Sequence, residues 1–279
     1  MKFFFGSKML DLASRTGIVA ILNVTPDSYY DGGKNLDVSM LLANAKAALE
    51  GGADILEIGG ESTGPDSKDV SAEVETARVL PALKALRLSF PDALVAIDTV
   101  KADVADAALT QGAVMINDVS AGRSDPNMFA VIARHGCPYV MMYSKDRTQR
   151  TTKQNMRYDD VIATVRMFLE ERIAQALKNG IAKEQMILDP GLGHFISSDP
   201  AYSFEILERL SELQGLGPIL VSPSRKSFLA GPENLPSSKR LPATLDASIL
   251  AVENGALFIR THDPKETRDV LRIRKNSKK

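Results

Sequence analysis

Gly17-Ile18-Val19-Ala20-Ile21-Leu22-Asn23-Val24-Thr25-Pro26-Asp27 is the stretch that decides the fold. Its core, Val19-Ala20-Ile21-Leu22, is unbroken rather than alternating, and polar residues follow it at once: Asn23, Thr25 and Asp27. A run that is apolar at every position suits a strand buried on both faces, as in a parallel sheet covered by helices. Counting this one as 17–24, seven more runs read alike: 54–60, 94–99, 114–119, 138–144, 186–190, 218–224 and 257–262.

The segments between them carry helical period, at 41–49, 72–88, 102–111, 126–134, 161–177, 201–213, 244–253 and 264–274. Val161, Val165, Phe168, Leu169 and Ile173 fall on one stripe, and Asn179-Gly180 stops it. Eight strands, each followed by a helix, predict an α/β (β/α)8 TIM barrel forming a single domain over 1–279. An open doubly wound sheet is the alternative, and eight regular units without a break favour closure. Residues 1–16 read as an N-terminal hairpin placed to plug the barrel bottom, and the basic end, 275–279, reads as a frayed tail.

Composition narrows the function. The 279 residues suit one such barrel. With 34 basic and 35 acidic residues the formal net charge is −1, which provides no overall basic field for nucleic acid or a membrane surface. No apolar run approaches the roughly 18 residues of a membrane span, and the apolar start at 3–5 is too short for a secretory signal. The single cysteine, Cys137, allows no internal disulfide framework. A cytoplasmic protein is therefore expected. Three histidines and one cysteine, dispersed along the chain, offer no clustered transition-metal site. His135 and Cys137 precede the fifth strand, at the barrel bottom, and read as structural.

In a barrel the chemistry sits where strands end at their C-terminal side. Those ends carry Asn23, Thr63, Asp98, Asn117, Ser144, Asp189, Lys226, Arg260 and His262. Singly, an Asp or Asn after a strand is an ordinary turn former or helix cap, and Arg225 with Lys226 reads as a solvated pair. Together they divide: acids and amides (Asp98, Asn117, Asp189) on the middle strands, cations (Lys226, Arg260, His262) on the last two. That pattern suits one ligand with a hydrogen-bonding polar head and an anionic tail, because a carboxylate accepts from neighbouring N–H donors and the last two strands are the usual phosphate side.

At these residues the chain resembles the dihydropteroate synthase family. The resemblance rests on Ile21-Leu22-Asn23-Val24-Thr25-Pro26-Asp27-Ser28, Asp31-Gly32-Gly33, Ile58-Gly59-Gly60-Glu61-Ser62-Thr63, Ile97-Asp98-Thr99, Ile116-Asn117-Asp118, Leu188-Asp189-Pro190-Gly191, Ser224-Arg225-Lys226-Ser227-Phe228 and Arg260-Thr261-His262-Asp263. It implies two substrates, a dihydropterin-methyl pyrophosphate and p-aminobenzoate, and the products dihydropteroate and pyrophosphate. It implies that Asp98, Asn117, Asp189 and Lys226 bind the pterin, with Met142 against the flat ring; core filling is the equal alternative for Met142. By the same resemblance Asn23 ligates a Mg²⁺ on the pyrophosphate, and Thr63, Arg260 and His262 hold the diphosphate. Asp27 counters positive charge beside the catalytic Lys226, Arg260 and His262, and Pro65, Phe195 and Ser227 line the substrate site. A homodimer is the family's usual assembly.

The chain departs from the family in a few places. Gly64 stands where Ser-Thr-Arg-Pro-Gly would place arginine. His194-Phe195-Ile196 replaces Phe-Gly-Lys, Tyr143 replaces a histidine, and Ser222-Pro223 replaces a glycine. These cluster on the second-substrate side. The Val221-Ser222-Pro223-Ser224-Arg225-Lys226-Ser227-Phe228-Leu229 segment is similar to the sulfonamide-insensitive branch, which implies weakened sulfonamide binding and a place in antibiotic resistance. Three other readings compete: a pterin barrel that passes a methyl group to a corrinoid, a non-catalytic pterin-binding paralogue, and a Lys226 Schiff-base aldolase. The last would need a desolvated Lys226.

Overall fold

The computed structural model describes residues 1–6, 8–23, 30–31, 35–36, 38–62, 64–65, 67, 69–148 and 150–277, with the backbone alone at 23, 30–31 and 35–36. Eight parallel strands form the sheet: β1 (Gly17–Asn23), β2 (Ile55–Gly59), β3 (Leu94–Asp98), β4 (Met115–Asp118), β5 (Tyr139–Met142), β6 (Met186–Asp189), β7 (Leu220–Val221) and β8 (Phe258–Thr261). Their order is β6-β5-β4-β3-β2-β1-β8-β7. A parallel bridge between Leu188 and Ile219, with Leu188 N–H donating to Pro218 O at 2.9 Å, joins the two outer strands and closes the barrel. The helices follow as α1 (Val38–Glu50), α2 (Ala72–Ser89), α3 (Ala102–Thr110), α4 (Met128–His135), α5 (Val161–Lys178), α6 (Pro200–Glu208), α7 (Leu241–Glu253) and α8 (Pro264–Ser277).

Local chemistry sets these bounds. Ser71 caps α2 by accepting from Val74 N–H at 3.3 Å, and Asp160 caps α5 by accepting from Ala163 N–H at 2.9 Å. The helix expected over 201–213 splits at Arg209, whose guanidinium gathers Asp160, Glu205 and Glu212. A 3-10 turn, Leu210–Leu213, then buries both of its leucines. β7 is shorter than the run 218–224 because Pro218 and Pro223 lack the N–H a ladder needs.

The sheet's period of two sorts its residues. Ile18, Leu56, Ile97, Ile116, Tyr139, Met141, Leu188 and Ile259 face outward and pack with the helices. Val19, Ile55, Leu94, Ala96, Met115, Val140, Ile187, Leu220 and Phe258 face inward and fill the lower barrel. The hairpin of Lys2–Phe5 and Lys8–Asp11 closes that end, with Phe3, Phe5, Leu10 and Leu12 packed into the same cluster and Phe4 left exposed. Gly17 has no room for more than a hydrogen, since a Cβ there would lie 2.4 Å from the Phe258 ring. Among the described residues no helix is long and apolar enough to cross a membrane.

Candidate active site at the barrel mouth

The inward positions above the apolar plug change character. One inward step beyond Ala96 is Asp98, beyond Met115 is Asn117, beyond Val140 is Met142, and beyond Ile187 is Asp189. Register places Asp98 beside Asn117, and Met142 beside Asp189. The polar strand ends read from the sequence thus meet inside one mouth.

Arg260 occupies its centre. Its Nε donates to Glu57 Oε1 at 2.5 Å, one Nη donates to Asp98 Oδ2 at 2.7 Å, and Ser222 Oγ lies 3.5 Å from the other. Burial works against this guanidinium's charge, but Glu57 and Asp98 more than offset it and hold its pKa above the ordinary value. Burial pushes the Asp98 carboxyl up to about 7, against the pull of Arg260. Glu57 is the residue that the sequence reading missed. It is 1% exposed, and its Oε2 has no hydrogen-bond partner among the described residues. The signal was present as a lone acid inside an otherwise apolar strand run, which demands a buried cation.

Lys226 and Asp189 are two further charged groups, which act on each other through space. Loss of water pushes the Lys226 ammonium down to about 8, with Asp189 opposing the shift. Burial raises Asp189, against the pull of Lys226, and its Oδ1 accepts from Gly191 N–H at 2.7 Å. The ammonium sits 5.2 Å from the centre of the Phe195 ring. The desolvation that a Schiff-base lysine would need is therefore present. Phe195 packs with Met142, Val100 and Val119 as a small apolar wall. Asn117 is 3% exposed, and its Oδ1 has no partner among the described residues. Such an atom is costly to bury unless a ligand donor meets it.

His262 lies at the rim and is exposed. It borders a cleft of about 530 Å³ shared with Met40, Asn44, Asp263 and Lys265. The packed atoms of the barrel mouth, and then the Arg260 charge, lower its pKa although its edge reaches solvent. Ser224 Oγ, 2.9 Å from His262 Nδ1 and 3.1 Å from its backbone N, fixes the ring's position. Arg260 and His262, expected as one clamp, thus occupy a buried ion cluster and an open rim.

Other residues resolve differently. Arg225 has φ +56° and leaves the mouth to pair with Asp263, at 2.5 and 3.0 Å. Tyr143 faces outward, packed edge-on against Phe168 and bonded to the Tyr158 hydroxyl at 3.3 Å, so the histidine it replaces would not reach the mouth from that backbone. Ser227 begins the turn Ser227–Leu229 directly after Lys226, and Pro65 is half-buried in the turn beyond β2. Asp27, Thr63 and the Asn23 side chain lie outside the described residues. At the bottom, Cys137 is buried with its thiol pushed up to about 12, and His135 Nε2 meets Asp106 at 2.6 Å.

Comparison with known proteins places this geometry. Residues 19–262 match the family of pterin binding enzymes. The chain is 37% identical to the dihydropteroate synthase of Synechocystis sp., over 96% of this chain and 92% of that one. It superimposes with a TM-score of 0.90 on Xanthomonas albilineans dihydropteroate synthase solved with 4-aminobenzoic acid, at 35% identity, covering 99% of this chain and 98% of that one. The same enzyme in complex with 7,8-dihydropteroate gives 0.87 at 34% identity, covering 100% and 99%.

Proposed function

The chain belongs to the dihydropteroate synthase family of pterin-binding enzymes, and from that membership we propose that it joins 6-hydroxymethyl-7,8-dihydropterin pyrophosphate to p-aminobenzoate. The products are 7,8-dihydropteroate and pyrophosphate, so the enzyme is a transferase. The observation that carries the reading is the unpartnered Asn117 Oδ1 set between the Asp98 and Asp189 carboxylates. Three acceptors that end β3, β4 and β6 on the barrel's inner face suit a ring whose edge presents several N–H donors. The Lys226 ammonium complements them as a donor to the ring's carbonyl or nitrogen.

In the reaction the amine nitrogen of p-aminobenzoate attacks the pterin methylene carbon. The carbon–oxygen bond to pyrophosphate breaks with its electron pair, and the new secondary amine sheds one proton. The chain's task is to hold the two reactants in line and to stabilise the charge that develops on the leaving group. Asp98 and Asp189 orient the pterin, and Arg260, joined to Asp98, sets a fixed positive charge behind the methylene. His262 takes the outer end of the pyrophosphate, with Ser224 holding the ring. Met142 and Phe195 present apolar faces to the flat substrates. Asp27 and Thr63 keep the roles given by the family resemblance, in the loops beyond β1 and β2.

Mg²⁺ fits this scheme as a passenger on the substrate. It keeps most of its waters and takes few protein ligands. Among the described residues no group of three or more His, Cys, Asp or Glu is placed to hold a metal, and Asn23, at the end of β1, would be its protein ligand. When bound it neutralises charge on the departing pyrophosphate.

The test is an assay for pyrophosphate release. Release that needs both substrates supports the reading. A chain that binds pterin pyrophosphate in a titration yet releases nothing with p-aminobenzoate is a non-catalytic pterin binder, and the proposal fails.

A further inference from the structure

The turn beyond β2 is described at residues 61–62, 64–65, 67 and 69–70. Gly64 bears no side chain, and a Cβ there would meet only Ser62 Oγ, at 3.5 Å. Two of the turn's internal bonds meet one group from outside it. Ser67 Oγ donates to Gly64 O at 2.6 Å, and Val70 N–H donates to Glu61 Oε1 at 3.3 Å. Both are gripped from outside by Arg150, which lies in the loop between β5 and α5, more than eighty residues along the chain. Its Nε donates to Ser67 Oγ at 2.8 Å, one Nη pairs with Glu61 and the other with Asp69. A planar guanidinium fork fixes the directions of its donors and so orients the groups it holds, whereas a lysine ammonium does not.

The loop that delivers Arg150 is itself anchored. Lys145 Nζ donates to His194 O at 2.7 Å, to Thr152 O at 2.8 Å and to Asp146 Oδ2 at 2.6 Å, and Lys145 N–H donates to Phe195 O at 2.9 Å. Arg150 is thereby fixed relative to Phe195, the ring that faces Lys226. A continuous strap runs from the wall beyond β6, through the loop beyond β5, to the turn beyond β2. Glu61 keeps a second partner in Lys101, which also holds Glu75 at 2.5 Å. Removing Arg150 therefore cuts the strap without stranding the Glu61 carboxylate.

We propose that Arg150 is a positioning residue for the second substrate, tying Glu61, Ser67 and Asp69 of the turn beyond β2 to the loop anchored at Phe195 and so setting the width of the p-aminobenzoate subsite. The inference rests on the synthase reading above. Arg150→Ala is expected to raise the KM for p-aminobenzoate about tenfold, the size that losing charge-assisted bonds allows. Affinity for pterin pyrophosphate, read by titration, stays unchanged, and Arg150→Lys falls between. An unchanged KM, or a parallel loss of pterin affinity, overturns the proposal. If Arg150→Ala does not fold, Ser67→Ala carries the same test: a smaller rise in the same KM supports the strap, and no rise overturns it. Wild-type protein that releases no pyrophosphate strikes the synthase reading instead. Titration of p-aminobenzoate into pterin-loaded wild type and Arg150→Ala then decides on Arg150, weaker binding supporting the strap and equal binding overturning it.

Discussion

The two ends of the barrel are made from the same strands and the same inward-facing positions, yet they are opposite environments. At the bottom, Ile55, Leu94, Ala96, Met115 and Phe258 meet the hairpin's Phe3 and Phe5 in a dry, uncharged cluster. At the top, two residues further along those strands, Glu57, Asp98, Asn117, Asp189 and Arg260 crowd a space nearly as buried. The bottom buries apolar area and gains stability from it, about 1.5–3 kcal/mol for each large side chain. The top gathers charges away from water, where each disfavours its own ionised form, and recovers part of that cost through ion pairs. Stability and reactivity are thus separated along one axis by about 7 Å of strand, two residues' rise.

The sharpest way to break this separation is to mutate each end and read both properties. Phe5→Ala, at the bottom, should lower unfolding stability by about 3–5 kcal/mol in urea titration, with both Michaelis constants unchanged. A raised KM at unchanged stability would show that the ends are not independent. Lys226→Met, at the top, should cut kcat/KM by about 10²–10³, the size of a lost transition-state or orienting charge. Its unfolding midpoint should move less than that of Phe5→Ala. Retention of most activity would remove Lys226 from the pterin site.

The pH dependence sharpens the same contrast on a smaller scale. Burial raises the Asp98 carboxyl to about 7, so the folded protein holds this proton more tightly than the unfolded chain does. The stability contributed by this group is greatest below its unfolded pKa and is lost as pH rises through about 7. Wild type and Phe5→Ala should therefore lose a few degrees of Tm across this range, and Asp98→Asn should lose less. Equal slopes in all three would show that the titrating strain lies elsewhere.

The smallest expected effect lies within the mouth itself. The departures from the family are Gly64, His194 and Pro223, and the proposed site puts them on the p-aminobenzoate side. A sulfonamide is bulkier than p-aminobenzoate beyond the shared ring. We therefore expect its inhibition constant to exceed the KM of p-aminobenzoate by about tenfold, a discrimination worth about 1.4 kcal/mol. An inhibition constant at or below that KM would contradict this.

Much of the fold was legible because strands buried on both faces leave a plain trace. All eight apolar runs became strands, and the runs' polar ends marked the mouth. Asp98, Asn117 and Asp189 could be read as one set since each ends a strand at the C-terminal side. Glu57 was passed over because it sits inside a run, where a single acid looks like noise until Arg260 is seen to answer it 203 residues away. Arg150 left no local trace at all: its partners Glu61, Ser67 and Asp69 lie in another loop. Arg225 and Tyr143 show the reverse, motif neighbours whose side chains turn away from the mouth.

By itself, then, the sequence determined the eight-unit barrel, the hairpin at one end and the mouth's polar set apart from Glu57. Periodicity and strand-end chemistry are local properties, written within ten or twenty residues. Only the tertiary structure decided which charges face each other: Arg260 between Glu57 and Asp98, Lys226 in the field of Asp189, and Arg150 against Glu61 and Asp69. Those pairings depend on barrel closure and register, which bring strands far apart in the chain to within a few ångströms. The pKa shifts follow from that closure, because burial and partners act through space and not along the chain.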